Sequence, residues 1–211
     1  MTTNVIGITG YKGAGKDTVA DIILEYRDYQ RFAFAEKLKV VCSYVFNIDR
    51  EYFDIQSLKT SPIEINFSDA MESRFRKSCR KDLGVDQNNC STMYDLIKKM
   101  LPHDTDTREI MTIVGGDIFR GMYDDNVWLN FLPTENVVVT DVRYPNEYDK
   151  VKSYDGVIIK VVNETQTDND NSHSSESHVE DMMPNYTILN NGTDIQSLII
   201  NVLKVLKEID K

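Results

Sequence analysis

The chain has 211 residues and a formal net charge of −10, from 24 basic and 34 acidic side chains, a balance that disfavours a polynucleotide partner but leaves room for a small anionic ligand in a local positive pocket. That length allows one domain, or one domain with a small insert, with ample material for a core. No 18-residue apolar window occurs, so no membrane span is expected; the opening residues read as a strand and not as a secretion leader, and Cys42, Cys79 and Cys90 lack metal spacing and suit a reducing cytoplasm.

The apolar run Val5 to Ile8 predicts a short buried strand. It leads into Gly10-Tyr-Lys12-Gly13-Ala14-Gly15-Lys16-Asp17-Thr18, a glycine-rich loop of the phosphate-cradling type, and Val19, Ile22 and Ile23 then continue at helical spacing. Glycines let the backbone bend tightly, so that successive N–H groups point into one hollow, and the helix start adds partial positive charge. Lys16 can reach the terminal phosphates of a nucleotide. The position after this lysine usually carries a Ser or Thr hydroxyl for magnesium. Here Asp17 stands there, as a hard oxygen ligand for magnesium or as a helix cap, and Thr18 follows.

Downstream the pattern alternates. A second strand is expected over 31–34 and a helix over 36–46. Residues 47–107 are polar and helical in pieces, for example 93–101, and a further helix is expected over 108–122. Strands are expected over 136–140, 156–162 and 186–189, and the apolar positions from Ile195 to Ile209 close the chain with an amphipathic helix. Strands separated by helices argue for an α/β fold with a parallel sheet covered on both faces. The polar stretch 163–185 reads as a lid or as a plain surface loop. His173 and His178 lie five apart with no cysteine nearby, which argues against a structural metal.

A second motif, Val137-Val-Val-Thr-Asp141-Val-Arg143-Tyr-Pro-Asn-Glu147, puts a carboxylate at the C-terminal end of an apolar strand, where open α/β sheets bind ligands. In phosphoryl-transfer sites such a carboxylate holds magnesium or its waters. Arg143 can grip a phosphate through its planar fork; the alternative is a surface pair with Asp141.

Together, Gly10 to Thr18 and Thr140 to Glu147 resemble the bacteriophage deoxynucleoside monophosphate kinases. Phe34-Ala-Glu-Lys-Leu-Lys39, Thr107 to Arg120 followed by Trp128, and His173-Ser-Ser-Glu176 with Asn190-Asn-Gly192 are similar to further stretches of that family, in the same order along nearly the whole chain. Gly116 stands where the family pattern leads one to expect Thr.

The resemblance implies a three-layer P-loop kinase fold comprising one domain over 1–211, with a helical acceptor insert over about 47–107 and a lid over about 163–185. It implies transfer of the γ-phosphoryl of ATP to a deoxynucleoside monophosphate, with magnesium, in the cytoplasm of a host cell. Catalytic roles fall to Lys16, Asp141 and Arg143, and metal ligation to Asp17 and Asp141. ATP contacts fall to Gly10, Lys12, Gly13, Ala14, Gly15, Lys16, Asp17, Thr18, Asn190 and Gly192, and acceptor contacts to Lys39, Arg108, Arg120, Trp128 and Arg143.

Bland readings stand beside these. Lys39 and Arg108 can be solvated surface charges, and Trp128 can be core. The run Arg74, Arg76, Lys77, Arg80 and Lys81 can be a solvated face. Gly192 can be a turn before a Thr193 or Asp194 cap. On an ideal α-helix Arg108 and Arg120 lie about 120° apart and need not share a face. A kinase of another small metabolite, such as dephospho-coenzyme A, or an ATP-binding regulator would use the same loop. Oligomeric state, a homodimer included, is not legible in the sequence.

Overall fold

In a computed structural model, residues 4–163, 178–192 and 194–211 are described. The chain divides into two compact units, one made of Met1–Phe34 with Phe131–Lys211 and the other of Ala35–Asn130.

The first unit is built on β1 (Val5–Thr9), the continuous apolar run. A strand buried on both faces has no reason to alternate, and all five of its residues are buried. β1 pairs in parallel with β5 (Val137–Val139) on one side and β6 (Val157–Asn163) on the other. With β2 (Gln30–Phe32) outside β5 and β7 (Tyr186–Asn190) outside β6, the order is β2-β5-β1-β6-β7, and every pairing is parallel.

Ile6 and Ile8 point to one face, where α1 (Lys16–Tyr26) and α8 (Ile195–Ile209) bury Val19, Ile22, Ile23, Leu198, Val202 and Leu206. Gly7 points to the other face. A methyl group there would lie 2.7 Å from Ile158 and 3.3 Å from Val151 of α7 (Pro145–Lys152), so only glycine lets that helix approach. The result is the expected three-layer α/β sandwich. α8 starts at Asp194, whose carboxylate accepts from Gln196 N–H at 3.0 Å, which makes it the cap.

The second unit is helical. It holds α2 (Phe34–Phe46, from its second residue on), the short α3 (Glu51–Asp54), α4 (Asp69–Asp82) and α5 (Gln87–Met100), capped at Ser68 and Asp86. α6 (Thr107–Met111) follows, capped by Asp106. It also holds a small antiparallel pair, β3 (Ile63–Glu64) with β4 (Asp104–Thr105). Phe75 packs on Tyr94 at 5.5 Å and on Phe119 at 6.2 Å, and Phe119 packs on Trp128 at 5.2 Å, forming an aromatic core. Cys42, Cys79 and Cys90 are all buried, and burial pushes their thiols above the ordinary range.

One element departs from the expected helix over 108–122. After α6 the winding loosens into a π-helix over Thr112–Tyr123, whose end is marked by Asp124 N–H bonding to Phe119 O at 2.9 Å. Two tertiary contacts fall on this segment. Leu38 presses so closely on Gly115 that a methyl group would sit 2.1 Å from it, and the Trp128 indole N–H donates to Gly115 O at 3.2 Å. Arg108 and Arg120 therefore do not follow α-helical spacing. No helix among the described residues is long and apolar enough to cross a membrane.

Candidate functional site

The loop between β1 and α1 is bent by three glycines with left-handed φ, Gly10 at 143°, Gly13 at 80° and Gly15 at 94°. Two are locked by neighbours as well. A methyl at Gly10 would lie 2.4 Å from Val161 O, and one at Gly15 2.3 Å from Asn190 Nδ2. Lys16, the first residue of α1, folds its ammonium back onto the carbonyls of Gly10 and Tyr11, 2.8 Å each. The cation thus lies across the loop it belongs to, satisfied by backbone oxygens that a stronger anionic acceptor can replace.

Asn190, at the end of β7, supports the loop from outside, its amide donating to Ala14 O at 2.9 Å. Asn163 Nδ2 reaches Gly13 O at 3.4 Å. Gly192 adopts φ 71° in the turn after β7, its N–H bonding Asn190 Oδ1 at 3.0 Å. The loop also has partners that its motif does not announce. Tyr11 donates its hydroxyl to Glu180 at 2.6 Å, and Thr9 to the Met182 sulfur at 3.6 Å. Of the expected lid, 164–177 lies outside the described residues, His173 included. His178 stacks near Tyr144, with ring centroids 6.1 Å apart.

Asp141 follows β5 by two residues, half-buried, with one oxygen accepting the Phe34 amide at 2.8 Å. The rest of its motif has a structural explanation. Glu147, only 4% exposed, accepts from the backbone N–H groups of Arg143 at 2.7 Å and Tyr144 at 3.1 Å and so fixes the turn into α7. The Arg143 guanidinium makes no hydrogen bond or ion pair among the described residues. Asp17 does not cap α1; it pairs with Arg31 at 3.2 Å, and Arg31 also binds Asp21. Arg31 is a neighbour that motif reading overlooked, because its partner lies fourteen residues away on another element. Thr18 is exposed on the first turn, and Lys12 and Gly13 are exposed on the loop.

Magnesium favours one or two carboxylates plus phosphate oxygens. Asp141 fits that habit through its half-buried place at the strand end. Asp17 fits by chemistry, though its carboxylate is engaged with Arg31. Among the described residues no group of three His, Cys, Asp or Glu side chains gathers to form an all-protein cage.

The remaining expected residues belong to the second unit. Lys39 pairs with Asp54 at 2.9 Å. Burial, the largest influence on Asp54, pushes its carboxyl up, but the Lys39 and Arg50 hydrogen bonds outweigh it and hold the group below the usual range. Arg120 is held by Asp125 at 2.8 Å. The Arg108 guanidinium has no hydrogen bond or ion pair among the described residues. Trp128 is 5% exposed, bonded to Gly115 and stacked on Phe119, which favours its core role. On α4, Arg74 bonds Val45 O and Arg76 pairs with Glu72, while Arg76, Lys77, Arg80 and Lys81 line a shallow basic groove.

A parallel sheet with its glycine loop and lysine beyond the central strand defines a three-layer α/β protein with a phosphate-cradling loop. Residues 65–202, well over half of the chain, match the family model described as deoxynucleotide monophosphate kinase, and the chain belongs to that family. The glycine loop lies outside the matched stretch and is an independent observation. Three relatives are similar along nearly their whole length. A protein of Acanthamoeba polyphaga mimivirus, provisionally named a deoxynucleotide monophosphate kinase, is 26% identical over 200 residues, covering 94% of each chain. The deoxynucleoside-5'-monophosphate kinase of Escherichia phage T5 is 22% identical, covering 94% of each. The deoxynucleotide monophosphate kinase of Enterobacteria phage T4 is 24% identical, covering 96% of this chain and 99% of that one.

Proposed function

We propose that the protein transfers the γ-phosphoryl group of ATP to a deoxynucleoside 5′-monophosphate, giving the diphosphate and ADP. Family membership supports the reaction class. The observation that carries the reading at the site is Lys16 resting on the Gly10 and Tyr11 carbonyls within a loop of left-handed glycines. In the bound state the ammonium exchanges two neutral carbonyls for phosphate oxygens, and the loop amides surround the β- and γ-phosphates.

Gly10 to Thr18 form the ATP cradle in this reading. Asn190 and Gly192 shape its outer wall, where the adenine passes. Asp141, with Asp17 released from Arg31, holds magnesium, which when bound neutralises charge on the phosphates. Arg143, Arg108, Lys39 and Arg120 are the acceptor-side residues in this reading. Trp128 shapes the acceptor side from within the core and does not stack on the base.

The transfer needs alignment and charge neutralisation more than proton movement, because the acceptor phosphate is already anionic at neutral pH.

The test is ADP formation from ATP with each of the four deoxynucleoside monophosphates in turn. Turnover that requires the monophosphate is expected. Lys16→Ala should lose about a thousandfold or more in kcat while its circular dichroism stays unchanged. ATP binding with no monophosphate-dependent turnover would overturn the proposal.

A further inference from the structure

The basic run of α4 has no task in the kinase reading. Ser73, Arg76, Lys77, Arg80 and Lys81 line a groove of about 540 Å³. They recur at spacings of three and four, which places them within a sector of about 140° on an α-helix. Met71, Phe75, Ser78 and Cys79, the buried residues of α4, occupy the opposite side. The helix thus turns one face to the core and gathers four cations on the other, in a chain whose net charge is −10.

The lining contains no carboxylate. Cations in the last turn of a helix answer its dipole, which accounts for Arg80 and Lys81 but not for Arg76 and Lys77 before them. Arg76 is compensated by Glu72 at 2.6 Å and braced from α5 by its bond to Ser91 at 2.5 Å. Arg80 and Lys81 are exposed and make no hydrogen bond or ion pair among the described residues. Lys77 stands 5.9 Å from the centre of the Tyr44 ring on α2. Tyr44 is 42% exposed, and Val40, one turn earlier on the same side of α2, is 46% exposed. An apolar shelf therefore adjoins the cations through Lys77.

We infer that this face of α4, with the Tyr44 shelf, is a second nucleotide site that takes a nucleoside triphosphate in its metal-free form. Arg76 and Lys81 are about 7.5 Å apart along the axis, so the cations form a row that linked phosphates follow and a single phosphate does not. The guanidinia of Arg76 and Arg80 give forked contacts, and the two lysines supply point charges beside them. The base lies on the Tyr44 ring, whose face accepts any base. Metal separates this site from the glycine loop. Magnesium cancels part of the triphosphate's charge and seeks oxygen ligands, so a lining of cations without a carboxylate favours the metal-free ligand. The patch is short and the chain as a whole is acidic, which disfavours a long polyanion. The groove belongs to the helical unit and does not depend on which reaction the glycine loop serves.

Calorimetric titration with deoxythymidine triphosphate, in chelator and at low salt, is the test. Lys16→Ala, which impairs the loop, should retain one equivalent of binding. Adding Arg80→Gln and Lys81→Gln to it should weaken that equivalent by about tenfold or more and leave the circular dichroism unchanged, since both side chains are exposed and unbonded. Inorganic triphosphate should bind at the same residues, and inorganic phosphate should not. Tyr44→Ala should weaken deoxythymidine triphosphate but leave inorganic triphosphate within about twofold. Excess magnesium should release the nucleotide from the Lys16→Ala protein. A folded Lys16→Ala that binds no triphosphate, or binding there that survives Arg80→Gln with Lys81→Gln, overturns the site. Equal effects of Tyr44→Ala on both triphosphates overturn the nucleotide assignment and leave a polyphosphate site. Displacement by a single-stranded oligonucleotide at lower concentration than the nucleotide makes the groove a polynucleotide site and overturns the proposal.

Discussion

At the scale of single residues, the chain separates cations that are held from cations that are not. Arg31, Lys39, Arg50 and Arg120 sit on carboxylates, whereas the Arg143 and Arg108 guanidinia make no such contact among the described residues. Arg143 is also fixed at its backbone by the buried Glu147 carboxylate, so its side chain starts from a rigid base. A bidentate phosphate contact depends on the planar fork, so Arg143→Lys should not rescue function. We expect Arg143→Ala to raise KM for the monophosphate by about tenfold or more, lower kcat and leave ATP affinity little changed. Separate titrations with the two ligands decide: collapse of ATP affinity alone would move Arg143 to the donor side. The carboxylates should differ in the same graded way. Asp141→Asn should cost more activity than Asp17→Ser, because Asp141 holds a fixed, half-buried place and Asp17 already spends its charge on Arg31. Equal losses in magnesium-titrated kcat would refute that ranking.

At the scale of elements, what was legible in the sequence was local. The β1–loop–α1 unit and the β5–Asp141 turn rest on short-range patterns, and they appear within a residue or two of expectation. The amphipathic α8 was legible for the same reason. Its packing gives a direct check: Leu206, 2% exposed, should cost about 3 kcal/mol when cut to Ala, whereas Ile200, 52% exposed, should cost under about 0.5 kcal/mol. Comparable losses in chemical denaturation would contradict the observed burial. The π-helix was not legible. The spacing of Ile110, Val114 and Ile118 fits an α-helix as readily as a π-helix, and the contacts that accompany the looser winding, Leu38 against Gly115 and the Trp128 indole on the Gly115 carbonyl, are tertiary. The helices α4 and α5 were only half legible: within 47–107 the sequence pointed to helical pieces such as 93–101, because polar runs hide which face is buried, and the caps Ser68 and Asp86 were not read. The link between α2 and α3 is likewise invisible to local patterns. Asp54 there is held below its unfolded value near 3.8 by Lys39 and Arg50, against the opposing pull of burial. Its contribution to stability is therefore complete above about pH 4 and fades as pH falls through the depressed folded value. Lys39→Met should flatten that acid limb in pH-dependent denaturation; an unchanged limb would mean the pair contributes nothing.

At the scale of the whole molecule, the two units are threaded differently. The sheet unit is made from both ends of the chain, with β1 paired to strands more than a hundred residues later, while the helical unit is one continuous segment. Ligand effects should divide along the same line. In the reading proposed here ATP engages the loop at residues 10–18 and its Asn190 support, all in the sheet unit, and the acceptor-side residues, Arg143 apart, belong to the helical unit, most of them within 107–123. Native-state hydrogen exchange can follow both at once. Amides of β1 and β5, at the sheet centre and at most 1% exposed where apolar, should exchange only by global unfolding and slow together with any ligand, by the amount mass action sets. Beyond that common shift, ATP alone should add local protection at 10–18, lost in Lys16→Ala. A deoxynucleoside monophosphate alone should add it along 107–123, lost in Arg108→Ala. The division is sharp enough to fail. If the monophosphate protected only the glycine loop and left the π segment exchanging as in the free protein, the acceptor would not lie on the Arg108–Arg120 face, whatever the turnover assay reports.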